Sequence, residues 1–149
     1  MTEGSPTGAA REIGRQVLEE MWGKGRLELA DRFYAADYVD HASRGPEPGT
    51  VVGPAGIKRA VTMFRSAFPD LSYSVEETMA ERDLVMTRFS ATGTHRGEFL
   101  GVAPSGKRIS YTGTDINRIR NGLIVESWVH YDALGLLEQL GLVPPIEGM

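Results

Sequence analysis

From position 11 to 22 the apolar residues Ile13, Val17, Leu18, Met21 and Trp22 recur at helical spacing, and the pattern breaks at Gly23-Lys24-Gly25. This predicts a first, amphipathic helix. A short second helix over 27–34 carries Leu27, Ala30, Phe33 and Tyr34 on its apolar side. The stretch 37–49, from Asp37-Tyr38-Val39-Asp40-His41 to Ser43-Arg44-Gly45-Pro46-Glu47-Pro48-Gly49, is rich in turn formers and reads as a loop. Gly53-Pro54 then opens a third helix whose Ile57, Ala60, Val61, Phe64 and Phe68 line one stripe, ended by Pro69.

Beyond Pro69 the period changes. Leu71, Tyr73 and Val75 alternate with serines, and 84–94, 108–119 and 123–131 are further strand candidates, the last two joined across Arg120-Asn121-Gly122. Asp132 is placed to cap a closing helix over 133–140, stopped by Gly141 ahead of Pro144-Pro145. Helices first and antiparallel hairpins afterwards give an α+β fold: a strongly curved antiparallel sheet, a cone or barrel, wrapped by the N-terminal helices and closed by a short C-terminal one. Between sheet and helices lies either a packed core or an apolar pocket. One domain over 11–142 is expected, with short tails at 1–10 and 143–149.

The 149 residues fit a single core, and 41% hydrophobic with 24% charged residues exclude disorder as a description of the whole chain. A net charge of -4 and a pI near 5.4 leave no basic surplus for nucleic acid or anionic lipid, so a neutral or apolar small-molecule ligand is the expected partner. With no cysteine there is no disulfide, thiol nucleophile or cysteine-bound metal. No apolar run approaches a membrane span, and the first residues lack the blocks of a signal peptide, so the cytoplasm is the expected compartment. The three histidines, His41, His95 and His130, lack the short spacing of a metal pair, and no metal is expected. No dinucleotide fingerprint or nucleophile elbow is present.

Asp115 stands in mid-strand, within Gly113-Thr114-Asp115-Ile116-Asn117-Arg118. Facing an apolar pocket, its charged form would be desolvated and its pKa raised toward neutrality, which suits proton transfer beside a carbonyl. On a solvated face it would pair with Arg88, Arg108 or Arg118. The hairpin register decides its company. A three-residue loop sets Asp115 opposite Ser127, with Val129, Tyr131, Gly113 and Tyr111 on its face; a two-residue loop sets it opposite Trp128 with His130 beside it.

The run Gly93-Thr94-His95-Arg96-Gly97-Glu98-Phe99-Leu100-Gly101-Val102-Ala103-Pro104-Ser105-Gly106-Lys107, the strand Asp115-Ile116-Asn117-Arg118-Ile119, the turn Asn121-Gly122 and the ending Leu134-Gly135-Leu136-Leu137-Glu138-Gln139-Leu140-Gly141 together resemble the SnoaL-like polyketide cyclases, of the nuclear transport factor 2-like superfamily. The resemblance spans about residues 11 to 142. It implies a homodimer of small cones, each with an apolar pocket, and an intramolecular aldol closure of a polyketide ester without metal or organic cofactor. Relatives in the superfamily isomerise ketosteroids, open epoxides, dehydrate, hydroxylate aromatic polyketides, or only bind.

The resemblance also implies site residues. Trp22 falls where an aromatic lines the cyclase pocket, Asp115 falls at a pocket position, and His41 falls near the pocket rim. The family's proton-transferring aspartate falls at Val129, which cannot move a proton. Either a bulge swings His130 into that space, or Asp115 has become the acid/base, or the chemistry is different or absent; Asp115, His130 and Tyr131 are the catalytic candidates, and Trp22, His41, Phe64, Tyr111 and Val129 the substrate-binding ones. His95 reads as part of a structural turn. Three functions stay open: a cofactor-independent acid/base cyclase or isomerase using Asp115, with Tyr131, Tyr111 or His130 polarising the oxygen; water activation against an epoxide or double bond, with Asp132 as second carboxylate; and a binding or assembly module without catalysis.

Overall fold

In the computed structural model, residues 6–41, 51–145 and 147 are described. Helix α1 (Pro6–Gln16) runs on into wider, π-helical turns over Val17–Trp22, followed by α2 (Glu28–Phe33) and strand β1 (Tyr34–Asp40). Helix α3 (Gly53–Ala67) precedes β2 (Ser72–Glu81), β3 (Leu84–Thr94), β4 (Arg108–Arg120) and β5 (Leu123–Tyr131), and α4 (Ala133–Gln139) closes the chain. The five strands form one open sheet in the order β1-β5-β4-β3-β2. Neighbours from β5 to β2 are antiparallel, as expected, while β1 adds a parallel pair with β5.

Two expectations change here. The first helix begins at Pro6, not at 11: proline is preorganised for a first turn, and Ala9 and Ala10 continue it without needing an apolar face. The segment read as a loop from 37 onward is the latter half of β1 as far as Asp40, and its part at 42–49 lies outside the described residues. Asp37 and Asp40 disguised the strand, because acidic residues are depleted in sheets. Its inward residues Tyr34, Tyr38 and Asp40 are nevertheless buried.

The helices lie on one face of the sheet, α1 over β2 and β3 and α3 against β1. Helix α1 sits so close to β3 that a Cβ on Gly14 would lie 2.9 Å from the Thr87 hydroxyl oxygen. Val17, Met21, Leu29, Val61, Phe68, Phe89, Ile124 and Leu136 fill the layer between, each fully buried. Burial of this kind stabilises by roughly 1.5–3 kcal/mol per large apolar side chain. Asp132 caps α4 as expected, its Oδ1 accepting the Gly135 backbone N–H at 2.9 Å. Among the described residues no helix is long and apolar enough to cross a membrane.

The hairpin between β4 and β5 turns through Asn121 and Gly122, both at positive φ (53° and 76°), with Arg120 opposite Leu123. That is a two-residue turn of the type whose twist suits strands. The register then shifts: Ile119 pairs with Ile124 but Arg118 with Glu126, so Val125 is an extra residue in a β-bulge. Neither register expected from the loop length is therefore the observed one. The bulge sets Asp115 opposite Val129, restoring Val129 and Tyr131 to its face and sending Trp128 and His130 to the other.

Candidate active site

The inner face of the sheet can be followed rung by rung across the strands. One rung joins Tyr73, Ala91 and Tyr111; the next joins Val75, Phe89, Gly113 and Tyr131. A third joins Thr78, Thr87, Asp115 and Val129, and a fourth joins Ala80, Val85, Asn117, Ser127 and Asp40. Two adjacent rungs are thus aromatic and the two beyond them are polar.

The helices complete the aromatic half. Phe64 of α3 lies edge-on to Trp22 at 5.6 Å, to Phe99 at 5.3 Å and to Tyr131 at 5.9 Å, and Tyr111 and Tyr131 stand 5.4 Å apart. Trp22, Phe64, Tyr111 and Tyr131 therefore come together in one cluster. Its edge reaches solvent at Tyr131, which is 36% exposed. The Tyr73 and Tyr111 hydroxyls are hydrogen-bonded at 2.7 Å deep within it. Burial pushes the Tyr73, Tyr111 and Tyr131 hydroxyls above their ordinary range, so at neutral pH all three remain protonated and able to donate.

Asp115 occupies the polar half and is 4% exposed. Burial pushes its carboxyl up to about 7; a hydrogen bond from Asn117 works against this, and the charge of Asp40 adds to it. The Asn117 amide donates from Nδ2 to Asp115 Oδ2 at 3.2 Å. Oδ1 of Asp115 has no partner among the described residues, and neither does the Thr87 hydroxyl or Asn117 Oδ1. The Tyr38 and Ser127 hydroxyls are hydrogen-bonded to each other one rung away. Tyr34, Tyr38 and Tyr73 all have their hydroxyls pushed up by burial, with the charge of Asp115 contributing.

The arginines considered as partners for Asp115 are engaged elsewhere. Arg88 pairs with Glu77 at 2.8 Å, Arg108 with Asp70 at 3.6 Å, and Arg118 with Asp83 at 2.7 Å and Glu126 at 2.8 Å. Asp132 is exposed and caps α4, so it does not join Asp115 as a second carboxylate.

The histidines lie apart from Asp115. His130 pairs with Thr114 and is exposed on the outer face, because the bulge at Val125 reverses the direction in which it points. His41 follows β1 on that same face, where its Nε2–H donates to Glu126 Oε1 at 2.7 Å and its ring stacks on Trp128 at 5.2 Å. His95 is fully buried in a turn, hydrogen-bonded through Nδ1 to the Ser105 hydroxyl at 2.8 Å, with its backbone N–H donating to the Lys107 carbonyl. A groove of about 260 Å³ along α3 is lined by Gly25, Leu27, Val61, Thr62, Arg65 and Ser66, none of them from the Asp115 cluster. Arg65 is committed there to the carbonyls of Trp22, Leu71 and Pro69.

The sequence reading did not place Thr87, Asn117, Tyr38 or Asp40 near Asp115, and set Ser127 opposite it, where the structure has Ser127 opposite Asn117. Asn117 was available from the sequence, since residues two apart on a strand share a face. The others depend on pairing across strands, and Tyr38 and Asp40 lay in the segment taken as a loop.

Comparison with known proteins matches the chain to a family. The family model of the SnoaL-like polyketide cyclases matches residues 12–140. Nogalonic acid methyl ester cyclase of Streptomyces nogalater is 29% identical over 118 residues, covering 78% of this chain and 87% of that protein. IdmH from Streptomyces antibioticus, assigned as a polyketide cyclase, superposes with a TM-score of 0.76 at 33% identity, covering 89% of this chain and 98% of its own. AclR from Streptomyces galilaeus, assigned as a hydroxylase, superposes with a TM-score of 0.81 at 28% identity, covering 95% and 87%.

Proposed function

Since the chain belongs to the SnoaL-like polyketide cyclase family, we propose that it closes or isomerises a neutral, apolar carbonyl compound by acid/base catalysis, with Asp115 moving the proton. The observation that carries this reading is a dry carboxyl group with one free oxygen, bordering an aromatic cluster. A carboxyl that titrates near neutrality is matched to removing a proton from carbon next to a carbonyl and returning it.

In the aldol form of the reaction, Asp115 Oδ1 takes a proton from the carbon beside one carbonyl. The resulting enolate carbon bonds to a second carbonyl carbon of the same molecule, and the proton goes to the new alkoxide oxygen. No atom is gained or lost. Tyr131 and Tyr111, held neutral by burial, supply hydroxyl donors near the enolate oxygen, where hydrogen bonds strengthen as charge develops. These protein groups carry every proton step, so the reading calls for no cofactor. The aromatic cluster suits a flat apolar body, and with Asp115 and Asp40 both on the inner face an uncharged ester is favoured over a free acid. His130 and His41, on the opposite face, have no part in it.

Mass spectrometry of candidate polyketide methyl esters incubated with the protein tests the reading. A product of unchanged mass and altered retention, absent with Asp115→Asn, is the expected result. Near-normal turnover by a folded Asp115→Asn variant overturns it, and a product heavier by one water assigns the site to water activation instead.

The homodimer implied by the resemblance has a candidate surface. On the outer face Met79, Met86, Ile116 and Trp128 pair in one row across four strands, and His41 stacks on Trp128 at its end. Met79 is 59% exposed. An apolar row of this kind, bordered by ion pairs such as Arg118–Glu126, fits a second copy of the same face.

A further inference from the structure

We propose that Asn117 is a positioning residue for Asp115: its amide grips Oδ2, and so leaves Oδ1 as the oxygen that exchanges a proton with substrate. This rests on Asp115 being the acid/base group.

The two residues stand two apart on β4 and project from the same face, so a single strand fixes their spacing. Asn117 is 1% exposed, held between Val85 of β3 and Ser127 of β5 on its rung. Its Nδ2 donates to Oδ2 at 3.2 Å, while Asp115 Oδ1 is unpartnered among the described residues. On β3, directly across from Asp115, Thr87 is fully buried and its hydroxyl is likewise unpartnered. The two oxygens of the carboxyl are therefore chemically distinct. One is held by the Asn117 amide, and the other has no partner among the described residues.

The choice of an amide matters. A buried carboxyl with no donor would stay protonated at neutral pH, while an arginine or lysine would pull it down to the ordinary carboxylate range. A neutral donor does something in between: it orients the group and offsets part of the burial without cancelling its charge. The titratable groups whose charge couples to Asp115 are Asp40, Tyr34 and Tyr38 from β1 and Tyr73 from β2; its cross-strand neighbours Thr87 of β3 and Val129 of β5 are uncharged. On α1, Arg15 is paired with Glu12 and Glu19. No cation among these groups takes over the task of Asn117.

The test is a carbon-13 NMR titration of the aspartate carboxyls in the intact protein, with the Asp115 signal identified by its loss in Asp115→Asn. Asn117→Leu, close in volume but without the donor, is expected to raise the Asp115 midpoint by about one to two pH units, the range a hydrogen bond to a charged group supports. Asn117→Ser, which keeps a shorter donor, is expected to raise it less. An unchanged midpoint in folded Asn117→Leu overturns the inference; if that variant does not fold, Asn117→Ser decides it by the same criterion. A wild-type Asp115 titrating near 4 would instead defeat the acid/base reading, whatever Asn117 does, so the two failures are distinct.

Discussion

Val129 lies directly across the sheet from Asp115, on the same inner face. Opposed residues on neighbouring antiparallel strands have Cβ atoms about 5 Å apart. The position at which the resemblance sets the family's aspartate and the buried carboxyl of this chain are therefore adjacent, and the proposed function amounts to a shift of the acid/base group by one strand.

That adjacency can be tested by exchange. The double variant Asp115→Asn/Val129→Asp keeps one carboxyl on the same rung and is expected to regain part of the turnover lost in Asp115→Asn, measured on the ester identified by mass spectrometry. Val129→Asp alone brings two carboxyls together in a dry site, where both cannot ionise at once, and is expected to titrate in two separated steps.

Asp115 also makes stability depend on pH in a definite direction. Its folded pKa of about 7 lies above the ordinary carboxylate value, so the folded state binds the proton more tightly than the unfolded chain does. The resulting stabilisation is complete below about pH 4 and disappears as pH rises through about 7. Between pH 5 and pH 8 the wild type is expected to lose about 2.5 kcal/mol relative to Asp115→Asn, read from urea unfolding at the two pH values. Parallel pH profiles for the two proteins would show that the carboxyl is not desolvated.

Gly113 lies in the aromatic rung that adjoins the polar ones. A Cβ there would lie 2.6 Å from Phe89 Cζ and 2.9 Å from Tyr131 Cβ, and backbone at His130 O is equally close. Gly113→Ala must displace an aromatic ring from a filled core, so a loss of about 1–3 kcal/mol in unfolding free energy is expected. Tyr131, the second side chain met there, belongs to the cluster proposed to hold substrate, so KM should rise along with the loss of stability.

The outer face offers a prediction independent of the chemistry. Met86→Glu with Ile116→Lys puts charge into the middle of the apolar row while leaving the inner face intact. Sedimentation should show the wild type as a dimer and the variant as a monomer. A wild type that sediments as a monomer at high concentration would remove that surface from the proposal.

Much of the fold was legible because periodicity reports burial. The stripes ending at Trp22 and Phe68 marked the helices, alternation with serines marked β2, further β-prone runs marked β3 to β5, and Asn121-Gly122 marked the hairpin. β1 was hidden because its aspartates argue against a strand, although Asp40 and Tyr38 are buried by pairing with β5 and packing on the inner face. The bulge at Val125 was hidden for a different reason: an extra residue leaves no mark in a run such as Leu123 to Tyr131, yet it decides whether Val129 or His130 faces inward. Asp115, Tyr131, Trp22, Phe64 and Tyr111 could be named from the chain alone, whereas Thr87 became visible only through its cross-strand partner and Ser127, named from one register, proved to pair with Asn117.

The most direct measurement is deuterium exchange into an enolisable polyketide methyl ester, followed in heavy water by mass spectrometry with wild type and Asp115→Asn in parallel. Proton removal by Asp115 requires label to enter the carbon beside the carbonyl with wild type, and to enter at least about a hundredfold more slowly with the variant. Equal rates of labelling by the two folded proteins would mean that the buried carboxyl does not move the proton.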